Sequence, residues 1–99
     1  MAFEMTVGLF VVDHERYADY RSAIAPLLEA SGARFRYDFE VARTLKTEGS
    51  HDINRIFVIQ FPDRTTKERF FKDPRYVEIN ARLFQKAVRT TAIIAEYTT

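Results

Sequence analysis

The chain has 99 residues, 15 of them basic and 14 acidic, which gives a formal net charge of +1. This length predicts one domain spanning residues 1–99, and the near balance of charge argues against binding to nucleic acid or to an anionic membrane. Without cysteine the chain has no disulfide, thiolate nucleophile or cysteine metal ligand, a composition compatible with a reducing compartment. The first apolar run is shorter than the ~20 residues of a membrane-spanning helix and has no basic leader, so we expect a soluble cytoplasmic protein.

A strand followed by a helix is predicted for the first third of the chain. Residues Phe3 to Val12 alternate between a wholly apolar face and a mixed face, which is typical of a strand. Asp13 is placed to cap a helix that begins at His14, and Gly32 is placed to end it because glycine readily adopts a left-handed conformation.

Two further strands are predicted in the middle of the chain. Alternation with a period of two extends from Arg34 to Lys46, and a nearly continuous apolar run extends from Arg55 to Phe61. The polar residues 47–54 between them predict a hairpin with a long loop.

The last third of the chain is predicted as two helices and a strand. The helices are expected over Arg64 to Lys72 and Pro74 to Lys86, with Asp63 capping the first and Asp73 the second, and the strand over Arg89 to Tyr97. Alternation in this strand predicts one face with Ile93, Ala95 and Tyr97 and another with Ala92, Ile94 and Glu96.

The predicted order βαββαβ indicates an α+β fold with helices on one face of a four-stranded antiparallel sheet, which is the ferredoxin-like architecture. The second sheet face is too apolar to stay exposed on a monomer, so we expect a homodimer. Its apolar residues are Phe10, Val12, Ile56, Val58, Ala92 and Ile94.

Several segments together resemble the DUF1330 family, a branch of the dimeric α/β-barrel superfamily. They are DHERYADYR from residue 13, Pro-Leu-Leu from 26, Gly-Ala-Arg-Phe from 32, RIFVIQFPD from 55 and FFKDPRY from 70. The resemblance covers nearly the whole chain and implies a homodimer whose two sheets face each other across a barrel. The chain departs from the family at Asp38-Phe39-Glu40, where members often have Arg-Gly-Gly, at Gln60, where they often have glutamate, and at His14, a usual proline.

A candidate ligand site lies on the mixed face of the sheet. Because Phe35, Tyr37 and Phe39 are expected to face the helices, the alternate residues of the same strand should face a cleft between subunits. Such a cleft could hold a small organic molecule, and the alternative is an ordinary solvated strand with surface ion pairs. The predicted ligand-binding residues are Arg34, Arg36, Asp38, Glu40 and Gln60, with Glu4 and Glu96 on the same face.

The sequence contains no recognisable catalytic signature, and no cofactor or metal site is expected. His14 and His51 have no partner motif and are interpreted as surface residues, while Tyr17, Tyr20 and Tyr37, at helical or strand spacing, fit a core better than an oxyanion site. Two functions remain open. One is binding or cofactor-free conversion of a small organic molecule in a dimer cleft, and the other is a non-catalytic assembly or regulatory dimer.

Overall fold

The computed structural model describes residues 1–99 and contains an antiparallel sheet with helices on one face. The strands lie in the order β2-β3-β1-β4, which is the predicted ferredoxin-like α+β arrangement. No helix has the length and apolar character needed to cross a membrane. The elements are β1 (Phe3–Val11), α1 (His14–Ala30), β2 (Arg34–Glu40), β3 (Arg55–Phe61), α2 (Arg64–Lys72), α3 (Pro74–Ile79), a π-helical turn (Asn80–Phe84), α4 (Gln85–Ala87) and β4 (Val88–Thr98).

Strand β1 lies at the centre of the core because it pairs with β3 on one side and β4 on the other. Its alternate residues Phe3, Met5, Val7, Leu9 and Val11 are all buried under the helices. The opposite face of the sheet carries no helix, and we call it the open face. On the two inner strands it consists of Glu4, Thr6, Gly8, Phe10, Ile56, Val58 and Gln60.

The predicted helix ends are confirmed by their capping contacts. The side chains of Asp13, Asp63 and Asp73 accept hydrogen bonds from backbone N–H groups of the first helical turns, at 3.0, 2.7 and 2.9 Å. Pro74 occupies the first turn of α3, and Gly32 follows α1 with a φ of 75°. These contacts satisfy backbone donors that a helix leaves unpaired at its start.

Strand β2 is shorter than predicted, and its residues after Arg36 face the opposite way from the prediction. It ends at Glu40, not at Lys46, and a β-bulge interrupts its pairing between Phe35 and Tyr37. The extra residue, Arg36, shifts the later residues by one position, and a shift of one residue exchanges the two faces of a strand. Tyr37 and Phe39 therefore pair opposite Val58 and Ile56 on the open face, and Asp38 and Glu40 lie on the helix side, so the predicted orientation of these four residues was wrong.

Strand β4 has two register shifts against β1, and the one at Ile94, which we call the β4 bulge, changes the faces of the residues around it. Ile93 lies opposite Val7 and Glu96 lies opposite Met5, which places both on the helix side. Tyr97 lies opposite Glu4 on the open face. The predicted alternation, which put Ile93 with Tyr97 and Glu96 on the other face, was therefore wrong.

The predicted helix from Pro74 to Lys86 is interrupted by a π-helical turn. Residues Asn80–Phe84 form one wider turn between α3 and α4. The ring of Phe84 lies 4.9 Å from the ring of Tyr20, centroid to centroid. Turns of this kind are rare in proteins, and those that do occur are often found at functional sites.

Candidate functional site

A buried carboxylate forms the centre of a polar cluster on the open face. Glu4 is 1% exposed and receives three hydrogen bonds, from the Tyr97 hydroxyl at 2.8 Å, Arg36 Nη1 at 2.7 Å and Gln60 Nε2 at 2.8 Å. We call these four residues the Glu4 cluster. The bond from Tyr97 lowers the pKa of the Glu4 carboxyl below its ordinary value, and the bonds from Arg36 and Gln60 add to this effect against that of burial. Glu4 is therefore an ionised acceptor with its charge satisfied by neighbouring strands.

The predicted ligand-binding residues do not form one group. Arg34, Arg36 and Gln60 do lie together, since Arg34 Nε donates to Gln60 Oε1 at 3.2 Å beside the Glu4 cluster. Asp38 is on the other side of the sheet, and Glu40 is exposed on the helix side with no side-chain hydrogen bond. Ligand binding by Arg34, Arg36 and Gln60 stays a prediction.

Asp38 instead forms a charged cluster with two arginines. Arg55 donates to both carboxylate oxygens at 2.8 and 2.9 Å, and Arg21 of α1 donates at 2.8 Å. Burial raises the pKa of Asp38, but the bonds from Arg55 and Arg21 outweigh it and hold the pKa below its ordinary value. Arg21 also lies 3.6 Å from the ring centroid of Phe35. We call Asp38, Arg21 and Arg55 the Asp38 cluster, and it ties α1 to strands β2 and β3.

A largely apolar cavity lies between the sheet and the helices, where the sequence pattern predicts only packed core. This helix-side cavity has a volume of about 370 Å³, within the ~300–1,000 Å³ of typical ligand pockets. Fifteen of its 18 lining residues are hydrophobic. They include Met5, Val7, Leu9, Tyr17, Tyr20, Ile24, Leu28, Phe35, Phe57, Ile59, Phe70, Phe71, Tyr76, Phe84 and Ile93.

The cavity reaches the surface beside strand β4. The lining residues Thr91, Ile93 and Glu96 are all exposed on this edge strand, and Ile93 is 51% exposed. Glu96 Oε1 lies 3.3 Å from Lys67 Nζ on α2, so the two charged lining residues pair with each other at the rim. Glu96 was predicted on the open face, and the β4 bulge is what brings it here.

Two of the tyrosines that line the cavity form a hydrogen bond with each other. The hydroxyls of Tyr20 and Tyr76 are 2.9 Å apart, and the two residues are 6% and 8% exposed. The ring of Tyr76 lies 4.9 Å from that of Phe70 and 5.1 Å from that of Phe71. Burial raises the pKa of both hydroxyls above the ordinary value, so both are neutral phenols. Helical spacing had indicated that Tyr20 is core, but periodicity carries no signal for unfilled volume beside a ring.

The two histidines lie apart from both clusters and from the cavity. The His51 ring stacks on Phe10 at 5.6 Å, and its Nδ1 lies 3.1 Å from the Ser50 hydroxyl. His14 is exposed in the first turn of α1. No three His, Cys, Asp or Glu side chains are grouped closely enough to hold a metal ion.

The chain belongs to the family described as a domain of unknown function, DUF1330, whose sequence model matches residues 5–97. This confirms the resemblance seen in the sequence. No curated protein matches the chain.

Solved structures with the same fold include proteins with and without a known activity. A protein of unknown function from Rhodopseudomonas palustris superposes with a TM-score of 0.83 at 18% identity, covering 99% of this chain and 82% of that one. A dimeric ferredoxin-like protein of unknown function from Jannaschia sp. CCS1 has a TM-score of 0.69 at 10% identity, with both chains fully covered. A hydroxynitrile lyase from Passiflora edulis has a TM-score of 0.67 at 11% identity, covering 97% of this chain and 91% of that one. At these identities the likeness concerns the fold.

Proposed function

We propose that the chain forms a homodimer through its open face and that each subunit binds a small, mainly apolar organic molecule in its own helix-side cavity. The observation that carries the binding proposal is the apolar cavity of about 370 Å³ with an opening beside β4. A well-packed interior leaves few voids larger than a water molecule, and apolar cavities bind apolar molecules because water gains little there. This moves the proposed ligand from the dimer cleft expected from the sequence to the inside of each subunit.

The dimer is supported by the apolar side chains that the open face leaves exposed. Tyr37, Phe39 and Ile94 are each more than half exposed, and the rings of Tyr37 and Phe39 stack at 6.1 Å. Rows of exposed apolar side chains on a sheet are typical of an interface. The dimeric relative from Jannaschia sp. CCS1 has the same fold. Light scattering at micromolar concentration should give twice the chain mass of 11.6 kDa, and a monomer would contradict the proposal.

Ligand binding can be tested by NMR titration of the labelled protein with ethylbenzene and acetophenone. We expect chemical-shift changes to concentrate on the cavity lining. Ile93→Trp places a larger side chain at the half-exposed mouth and should weaken binding of both compounds at least tenfold. Val77→Trp is the matched control, because Val77 is similarly exposed at 50% but does not line the cavity. Scattered shifts, or equal binding by both variants, would contradict the proposal.

The alternative function is a non-catalytic assembly or regulatory dimer. The Glu4 cluster fits that alternative, since its hydrogen bonds are satisfied within the sheet and need no ligand. A dimer that binds neither probe would favour it. The lyase from Passiflora edulis is an enzyme with a similar fold, but a fold hosts many functions and does not decide between the two alternatives here.

A further inference from the structure

The Tyr20 and Tyr76 hydroxyls together have one more O–H donor than their hydrogen bond requires. Each hydroxyl carries one O–H donor, and in the bond that joins them only one of the two hydrogens lies between the oxygens. Neither hydroxyl makes another hydrogen bond in the protein. One O–H donor is therefore left without a protein acceptor in a buried, aromatic wall.

A buried donor without an acceptor is costly, so such a group points to a partner that the protein itself does not supply. Both tyrosines line the helix-side cavity, and both are more than nine-tenths buried. Their raised pKa values keep them neutral, so they act as donors and not as phenolates. The two charged lining residues, Lys67 and Glu96, are paired with each other at 3.3 Å on the rim.

We infer that the helix-side cavity takes a neutral carbonyl compound, or an equivalent with one hydrogen-bond acceptor, whose oxygen receives the free O–H of the Tyr20 and Tyr76 pair. This inference rests on the proposed binding function and specifies the ligand class. The acceptor is neutral because a charge transferred into an apolar wall without an ionic partner would be unfavourable. The remainder of the ligand is apolar, to match Phe70, Phe84 and the aliphatic lining.

The test compares acetophenone with ethylbenzene, which has a methylene group in place of the carbonyl. The quantity of interest is the ratio of the two dissociation constants, measured by NMR titration. Tyr20→Phe/Tyr76→Phe removes both O–H donors and keeps both rings, and it should shift the ratio about five- to tenfold in favour of ethylbenzene. Tyr37→Phe is the matched control, since its hydroxyl makes no hydrogen bond and lies on the open face, and it should leave the ratio unchanged.

A measurement on the wild-type protein keeps the test independent of the folding of the double variant. The carbonyl ¹³C resonance of bound acetophenone should lie downfield of its position in a hydrocarbon solvent when an O–H donates to it. A hydrocarbon-like resonance, or a ratio unchanged in the double variant, would overturn the inference while leaving the cavity proposal intact. Failure of both compounds to bind would overturn the cavity proposal itself, and the inference with it.

Discussion

The guanidinium of Arg36 crosses strand β3 and donates to the Glu4 carboxylate over 2.7 Å, although β2 and β1 are not neighbours in the sheet. The β2 bulge makes this contact possible, because Arg36 is its extra residue and reaches over the open face. Gln60 lies between the two and donates to the same oxygen at 2.8 Å. One carboxylate thus connects three strands, and Tyr97 adds the fourth.

The first prediction concerns the pH dependence of this cluster. The pKa of Glu4 is lowered in the folded chain, so its contribution to stability is fully present above its ordinary pKa near 4.5 and is lost as the pH falls through the folded value. Arg36→Ala removes one donor and should raise the pKa of Glu4 toward the ordinary value. We expect a lower free energy of unfolding at pH 7 and a weaker dependence of that free energy on pH below 4.5, measured by urea denaturation.

Arg34→Ala is the matched control for this experiment. Arg34 belongs to the same strand and face but donates to Gln60 and not to Glu4. The free energy of unfolding of Arg34→Ala should therefore depend on pH as that of the wild type does. Identical acid profiles for the two variants would show that Arg36 does not hold the Glu4 charge.

The order of the elements, the caps and the core of β1 could be predicted because each depends on local chemistry. Aspartate before a helical run accepts backbone N–H bonds wherever it occurs, as Asp13 and Asp73 do. An uninterrupted period of two, as in Phe3–Val11, determines which side chains are buried. These features need no information from distant parts of the chain.

The bulges in β2 and β4 could not be predicted, because they depend on pairing with another strand and not on the pattern of the bulged strand itself. In β2 the aromatic residues Phe35 and Tyr37 alternate with polar residues at a period of two, so the sequence gives no sign of an extra residue at Arg36. Because of this single inserted residue, Asp38 lies on the helix side, where it pairs with Arg21, and Tyr37 lies on the open face. The predicted ligand site lost Asp38 and Glu40 for this reason alone.

The helix-side cavity was missed for a different physical reason. Tyr20, Phe70 and Tyr76 follow the pattern of ordinary core residues, and they are buried as such. An unfilled volume depends on how the side chains of several elements fit together in space. The π-helical turn, which places Phe84 against Tyr20, is one of these elements. The unshared hydroxyl hydrogen likewise depends on two residues 56 positions apart.

The second prediction tests the corrected position of Asp38. Asp38→Ala removes three charge-assisted hydrogen bonds and leaves Arg21 and Arg55 close together, so it should destabilise the fold by about 1–2 kcal/mol. The figure is modest because the side chain is 27% exposed and water screens the charges. Glu40→Ala, two residues along the same strand, should change the free energy of unfolding by less than about 0.5 kcal/mol. Equal effects in denaturant unfolding would mean that the Asp38 cluster is not formed.

The third prediction concerns the turn after α1. Gly32 has a φ of 75°, and an added Cβ would lie 3.1 Å from Pro62 Cγ. Gly32→Ala should therefore destabilise the fold by about 1–2 kcal/mol, the usual strain of a side chain in the left-handed region. Gly49→Ala in the β2–β3 loop is the control, since its Cβ would meet nothing closer than 3.7 Å. A thermal midpoint for Gly32→Ala that matches the control would contradict the assigned conformation.

The last prediction addresses the open face as the dimer interface. Val58 lies on this face opposite Thr6 and Tyr37, on an inner strand that a second subunit would cover. Val58→Asp would place a carboxylate without a partner in an apolar interface, so we expect light scattering to show a monomer or circular dichroism to show loss of the fold. Val77→Asp is the matched control, because Val77 is half exposed on α3, and it should remain a folded dimer. If Val58→Asp forms a dimer as stable to dilution as the wild type does, the two subunits meet through some surface other than the open face.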